Sequence, residues 1–313
     1  MQTIAKVDFV KGHMGGNEIV LLNGDQIPAR AYAQAALSVL DPPGIRGHQV
    51  GILERPDAGG DIKVRIFDAE SRGFITACGG ITQVLCKAML QTNLGNRYGI
   101  REPFKQLVVE TDSGHLRISI RASKEKPAAF TDMTGFVKEC YRLGVSIIEA
   151  AAVKALKVGE FLVADVGEIQ KVYPRADFST MNPETVEILT AMQTDFDRQH
   201  LIDTRNTNFA LFGVDLNDPT HGRVLFPHDI ARGLVEPSCG TGSVAIAIAL
   251  AQKGLLEEGA VTLHFESGGP PVLGGPDTTE VKVGVKEGRI ASAEFTHSLV
   301  EITSTGKIWL RIH

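Results

Sequence analysis

Hydrophobic and polar positions along the chain alternate in two ways. Short segments such as Lys63-Val-Arg-Ile and Leu116-Arg-Ile-Ser-Ile switch character at every residue, the period of a strand with one buried face. Two longer segments show no polar face at all: residues 82–86 (TQVLC) and 244–250 (VAIAIAL) carry hardly a charge. A helix that is apolar on every side belongs inside something. In order, the first half predicts a strand and Gly turn over residues 9–22, a helix over 28–40 and a strand ending in RIFD at 64–68. An ACGG motif, an apolar helix to residue 90 and a strand over 107–120 (LVVETDSGHLRISI) follow. The second half repeats the order with FLVADVGEIQKVY at 161–173, a helix over 183–200 and a strand RVLFPHD at 223–229. After these come SCGTG, an apolar helix to residue 250 and a strand VTLHFESG at 261–268. Self-similarity of this kind points to two like units.

The pattern predicts an α+β fold of two pseudo-symmetric domains, each a barrel-like sheet wrapped around a central helix. The boundary falls near the polar stretch RASKEKPAAFTD. It divides the chain into residues 1–125, with a returning C-terminal strand at 305–313, and residues 126–304. The length of 313 residues accommodates two ordinary domains. A Gly/Pro-rich stretch at 268–276 reads as a surface loop.

Composition narrows the function. The chain is 43% hydrophobic and 22% charged with a formal net charge of −5, and it has no basic tract for nucleic acid. Its longest apolar stretch, residues 244–251, falls far short of the ~20 residues of a membrane span. The N-terminus lacks the apolar run of a secretory signal, so the cytoplasm is the expected location. The four cysteines, Cys78, Cys86, Cys140 and Cys239, show no metal-ligand spacing and are too few for a disulfide framework. Cys86, inside an apolar helix, and Cys140, in a charged stretch without glycine, read as small buried hydrophobes.

Cys78 and Cys239 differ, because each stands between a short strand and a helix and is followed by glycine. A thiol at a helix N-terminus meets unbonded N–H groups and a partial positive charge, which favour the thiolate. The glycines let a small anion approach the backbone. Two such motifs face to face across a cleft between like domains can invert a carbon next to a carboxylate. One thiolate removes a proton, the opposite thiol returns one from the other face, and the helix ends offset the developing charge. Neither cofactor nor metal is needed, and the expected partner is a small carboxylate or amino acid. A homodimer is among the assemblies this allows.

These features resemble the diaminopimelate epimerase/proline racemase superfamily over most of the chain. Residues 11–20, KGHMGGNEIV, are similar to the epimerase opening K-M-H-G-L-G-N-D-F-V, and Val64-Arg-Ile-Phe-Asp68 to its Y-R-I-F-N strand. Cys78-Gly79 stands where its C-G-N-G begins, and Cys239-Gly-Thr-Gly242 reproduces its C-G-T-G. The resemblance implies the same two-barrel fold, with Cys78 and Cys239 as paired acid and base. It also implies substrate contacts from Asn17, Gly79, Gly80, Asn208, Arg232, Gly240, Thr241 and Gly242, with Glu236 matching a nearby family glutamate. The departures bear on substrate. Asp68 replaces the Asn after R-I-F, Gly80 replaces the Asn of C-G-N-G, Asp165-Val-Gly-Glu168 stands in place of G-N-P-H, and Ala231 replaces a Glu. Several of these positions hold the distal end of diaminopimelate in the family, so a different amino acid is expected. The opening His13-Met-Gly-Gly also echoes the H-T-G-G of proline racemases, whose M-C-G-H motif is missing. His13 and the pair His228-Asp229 are further candidates for the cleft, whereas His48 reads as structural. Two other functions fit: a double-bond isomerase of an unsaturated carboxylic acid, resembling 2-methylaconitate isomerases, and a non-catalytic carboxylate-binding protein.

Overall fold

The computed structural model describes residues 3–41, 44–69, 71–76, 78–101, 105–121, 128–150, 152–178, 181–201, 208–215, 218–230, 234–267 and 277–312. The chain divides into two compact units, Met1–Asp132 with Leu299–His313, and Met133–Ser298.

In the first unit the strands are β1 (Thr3–Met14), β2 (Asn17–Asn23), β3 (Gln49–Glu54), β4 (Ile62–Asp68), β5 (Gly73–Ile75), β6 (Gln106–Thr111), β7 (Gly114–Arg121) and β8 (Ala128–Asp132). The helices are α1 (Tyr32–Leu40), α2 (Gly79–Gln91) and the single turn α3 (Leu94–Arg97). The C-terminal strand, Val300–Ile312, pairs antiparallel with β1. β1 and β2 form a hairpin whose turn residues, Gly15 and Gly16, both take positive φ, 54° and 87°. Side chains strain that conformation and glycine does not. β2 and β3 run parallel, as do β4 and β6. Parallel neighbours need a crossover; α1 lies in the first connection and α2 in the second.

The sheet has two dressed faces. On one, α1 packs Tyr32, Ala35, Ala36 and Val39 against Val20, Leu22, Val50 and Ile52. On the other, α2 is buried with Ile81, Val84, Leu85 and Cys86 among Ile19, Leu21, Val64, Ile66 and Leu107.

The second unit comprises α4 (Thr134–Leu143), β9 (Val145–Ala150), β10 (Val153–Val158), β11 (Phe161–Asp165), α5 (Val166–Val172), α6 (Pro183–Arg198), β12 (Asn208–Asp215), β13 (Asp218–Asp229), β14 (Leu234–Glu236), α7 (Gly240–Gln252), β15 (Gly259–Ser267), β16 (Thr278–Lys286) and β17 (Arg289–His297). It has the same two parallel junctions, β11 with β12 and β13 with β15. Helices α5 and α6 lie in the first connection and α7 in the second. Asn182 caps α6 by accepting from the Thr185 amide, and Pro183 stands in the first turn, where its missing N–H costs nothing. α7 packs against β10, β11, β12, β13, β16 and β17, so the strands curl around it. Val244, Ile246, Ile248 and Leu250 are all fully buried; each contributes roughly 1.5–3 kcal/mol of apolar transfer. The α+β architecture of a sheet around a central helix is thus present in each unit.

Two local differences from the sequence pattern stand out. Residues 107–120, expected as one strand, form the hairpin β6–β7, turned at Gly114 with φ 113°. Residues 161–173 divide into β11 and α5, because Asp165 accepts from the Gly167 amide and starts a helix. Among the described residues no helix is long and apolar enough to cross a membrane.

Candidate active site

Each unit places one cysteine at the N-cap position of its buried helix. Cys78 precedes α2 with φ −149° and ψ 119°; Cys239 precedes α7 with φ −136° and ψ 112°. This extended backbone is what an N-cap adopts. Both thiols are nearly buried, retaining 9% and 8% of their surface.

Around Cys78, Gly79 and Gly80 form the first turn of α2 and are buried. Asn17, fully buried at the start of β2, brings its amide nitrogen to 3.6 Å from where a side chain on Gly80 would begin. The predicted residues Asn17, Cys78, Gly79 and Gly80 are therefore neighbours, and an alanine at Gly80 would crowd Ile19 at 3.0 Å. Below them Thr82 donates to the Gly79 carbonyl at 2.6 Å. Thr82 also shares a hydrogen bond with Thr131, which accepts from Gln83. This buried network fixes the first turn. The Cys78 thiol lies 3.9 Å from the Gln49 amide oxygen, and Gln49 donates to Asp68 at 3.1 Å.

At Cys239 the sulfur itself caps the helix, accepting from the Gly242 N–H at 3.3 Å, with the Thr241 hydroxyl also at 3.3 Å. Burial pushes this thiol well above its ordinary range. Glu236 adds to the rise, and the Thr241 and Gly242 donors oppose it. The helix terminus was expected to favour the thiolate; at Cys239 the loss of water outweighs it. Gly240 and Gly242 have a packing reason as well. A side chain on Gly240 would meet the Phe295 ring at 2.6 Å, and one on Gly242 the Phe226 ring at 2.5 Å.

The other predicted residues are placed as follows. Asn208 is exposed at the start of β12, aligned with Phe161 of β11. Arg232, Ala231 and the stretch 268–276 lie outside the described residues, as do the side chains of His228 and Asp229. His13 is buried and its Nδ1 accepts from the Gly16 N–H at 3.3 Å, a turn-stabilising bond. His48 accepts from the Glu18 N–H at 2.9 Å and ties β2 to the residue before β3. Cys86 and Cys140 are buried structural thiols, each pushed up to about 12 by burial. Sequence reasoning passed over Gln49. Its signal is not local: it reaches Cys78 only because β3 pairs with β4, placing Gln49 opposite Asp68. A surface cleft of about 470 Å³ in the second unit is lined by His221, Arg223, His264 and Glu266, and it includes neither capping cysteine.

No family model matches the chain. The diaminopimelate epimerase of Sphingopyxis alaskensis is 26% identical over 295 residues, covering 86% of this chain and 94% of that protein. Among solved structures, a hydroxyproline epimerase from Agrobacterium vitis with bound trans-4-hydroxy-L-proline superposes with a TM-score of 0.61. It is 15% identical, with 98% of this chain and 92% of that one covered. A methylitaconate-delta-isomerase superposes equally well, with a TM-score of 0.61, 11% identity and coverage of 99% and 96%. The fold is that of a class of racemases, epimerases and related isomerases. The sequence relatives refine this: the chain is an isomerase of the diaminopimelate epimerase/proline racemase superfamily.

Proposed function

We propose that the chain is a cofactor-independent racemase or epimerase that inverts the α-carbon of an amino acid other than diaminopimelate. Cys78 and Cys239 act as paired acid and base. One observation carries the reading. Both units contain a buried helix whose N-cap position is a cysteine in the same extended conformation, followed directly by glycine. A lone structural cysteine gives no reason for that recurrence.

In the proposed reaction one thiolate takes the α-proton, and the electron pair left behind delocalises into the substrate carboxylate. The other thiol then delivers its proton to the opposite face, leaving the inverted amino acid and the two sulfurs with exchanged protonation states. The backbone N–H groups at the two helix starts, around Gly79, Gly80, Gly240, Thr241 and Gly242, hold the carboxylate and offset the charge it gains. Asn17 orients the substrate beside Cys78; Asn208 and Arg232 supply further contacts. The substitutions Asp68, Gly80 and Ala231, and the absence of G-N-P-H, argue against diaminopimelate.

A panel of L- and D-amino acids in deuterium oxide tests this. The expected result is one or a few substrates whose inverted product carries deuterium at the α-carbon. Ultraviolet change with an unsaturated acid and no amino-acid exchange would instead identify a double-bond isomerase. Saturable carboxylate binding without any turnover would identify a binding protein.

A further inference from the structure

Gln49 and Asp68 face each other in the antiparallel register of β3 and β4, and both are buried. The Gln49 Nε2 donates to Asp68 Oδ1 at 3.1 Å, and the Ser71 N–H donates to Asp68 Oδ2 at 2.9 Å. An ionised carboxylate only accepts. The bond therefore decides which way the Gln49 amide points: nitrogen toward Asp68, oxygen toward Cys78, whose Sγ lies 3.9 Å away. Cys239 has mixed neighbours: the Gly242 N–H donates to its sulfur at 3.3 Å, while Glu236 also hydrogen-bonds to it and favours the protonated thiol. An acceptor stabilises S–H, whereas donors stabilise S⁻.

We propose that Asp68 and Gln49 are a positioning pair that keeps the proton on Cys78, making Cys78 the resting acid of the reaction. The assignment of this role rests on the proposed function; the hydrogen-bond chain does not. Asp68 is the charged group tied into this chain. The first turn of α2 carries no acidic or basic residue. Other charged side chains of this unit are engaged with one another: Glu18 with Lys11 at 2.7 Å, Arg72 with Asp41 at 2.9 Å, and His13 toward Glu301 at 3.8 Å. The resembling epimerase strand has Asn where Asp68 stands. An amide there could donate as well as accept, and Gln49 would be free to turn its nitrogen to the sulfur.

The test is the pH dependence of iodoacetamide alkylation of the full chain, with Cys78 and Cys239 read separately by peptide mass spectrometry. In Asp68→Asn the Cys78 midpoint falls by about one pH unit, because the released amide can donate to the thiolate, while the Cys239 midpoint stays in place. Gln49→Met, which removes the acceptor and nearly keeps the volume, also lowers the Cys78 midpoint and serves if Asp68→Asn does not fold. A purely structural role would change alkylation rates at every pH without moving the midpoint. An unmoved Cys78 midpoint in the folded variants overturns the proposal. Because alkylation needs no turnover, a missing deuterium exchange would sink the proposed function while leaving this result readable.

Discussion

The backbone amide of Gly242 donates to the sulfur of Cys239 across 3.3 Å, so a thiol does at α7 what a serine or aspartate oxygen does at most helix starts. The arrangement ties the sulfur to the fold. Any movement of the first turn moves the sulfur, and any change at the sulfur is felt by the turn. Burial and Glu236 meanwhile push the Cys239 thiol up, against the pull of Thr241 and Gly242. A carboxylate substrate seated over the same N–H groups, as proposed, would compete for them and would couple binding to protonation at Cys239.

Replacing either capping cysteine by serine separates these roles. Serine is a good N-cap, so Cys78→Ser and Cys239→Ser are expected to keep the circular dichroism spectrum and melting temperature of the parent. Its hydroxyl is a far weaker acid than a thiol, and α-proton exchange in deuterium oxide should fall by at least about 10³-fold, in the range seen for loss of general acid–base catalysis. Full exchange in either variant would end the two-thiol mechanism.

Gly242→Ala tests the packing beside Cys239. The added carbon would lie 2.5 Å from Cε1 of Phe226, closer than non-bonded carbons tolerate, and Phe226 is itself buried. Relief requires the ring or the first turn of α7 to shift. A loss of roughly 1–3 kcal/mol, typical of overpacking, should appear in urea denaturation. Retained stability would mean that Phe226 yields without cost.

Much of this was legible in the sequence, and the exceptions have physical causes. The all-apolar runs after Cys78 and Cys239 could only be central helices, so the caps and their cysteines followed from pattern alone. The hairpin at Gly114 was missed because its polar turn residues, Asp112 and Ser113, also fit an exposed strand; the signal was the change of parity from Leu107 and Val109 to Leu116 and Ile118. Helix α4 was missed because just Val137 and Cys140 face inward, too few to set a period. Gln49 was missed for a different reason. Its place beside Cys78 is a matter of strand register, fixed by residues far from either, and no window along the chain contains it.

Alkali should weaken the fold through its buried thiols. Unfolded, a cysteine gives up its proton near its ordinary value of 9.0; folded, Cys86 and Cys140 hold theirs to about 12. The stability these protons represent is complete below pH 9 and is lost as pH rises toward 12, by up to about 1.4 kcal/mol per pH unit for each thiol. Urea denaturation across this range should show the decline, with a shallower slope in Cys86→Ala. An equally steep slope in that variant would show that Cys86 does not contribute.

The acid limb has its own anchor in Glu110. Burial raises this carboxyl, but the N–H groups of Asp57, Ala58 and Gly60 donate to it at 2.9, 2.7 and 2.7 Å, and together they hold it down at about 2. A carboxylate with its proton affinity lowered by folding stabilises the fold above its ordinary value of 4.5, and that contribution fades as pH falls from 4.5 toward 2. Glu110→Gln keeps the shape but exchanges one acceptor oxygen for a donor nitrogen, which cannot receive three amides. The variant should therefore be less stable than the parent at neutral pH, with the gap narrowing on acidification as the unfolded parent takes up the proton that its folded form resists. Urea denaturation of both proteins at neutral pH and near pH 3 decides the matter. A gap of constant size would mean that shape rather than charge holds the 57–60 loop.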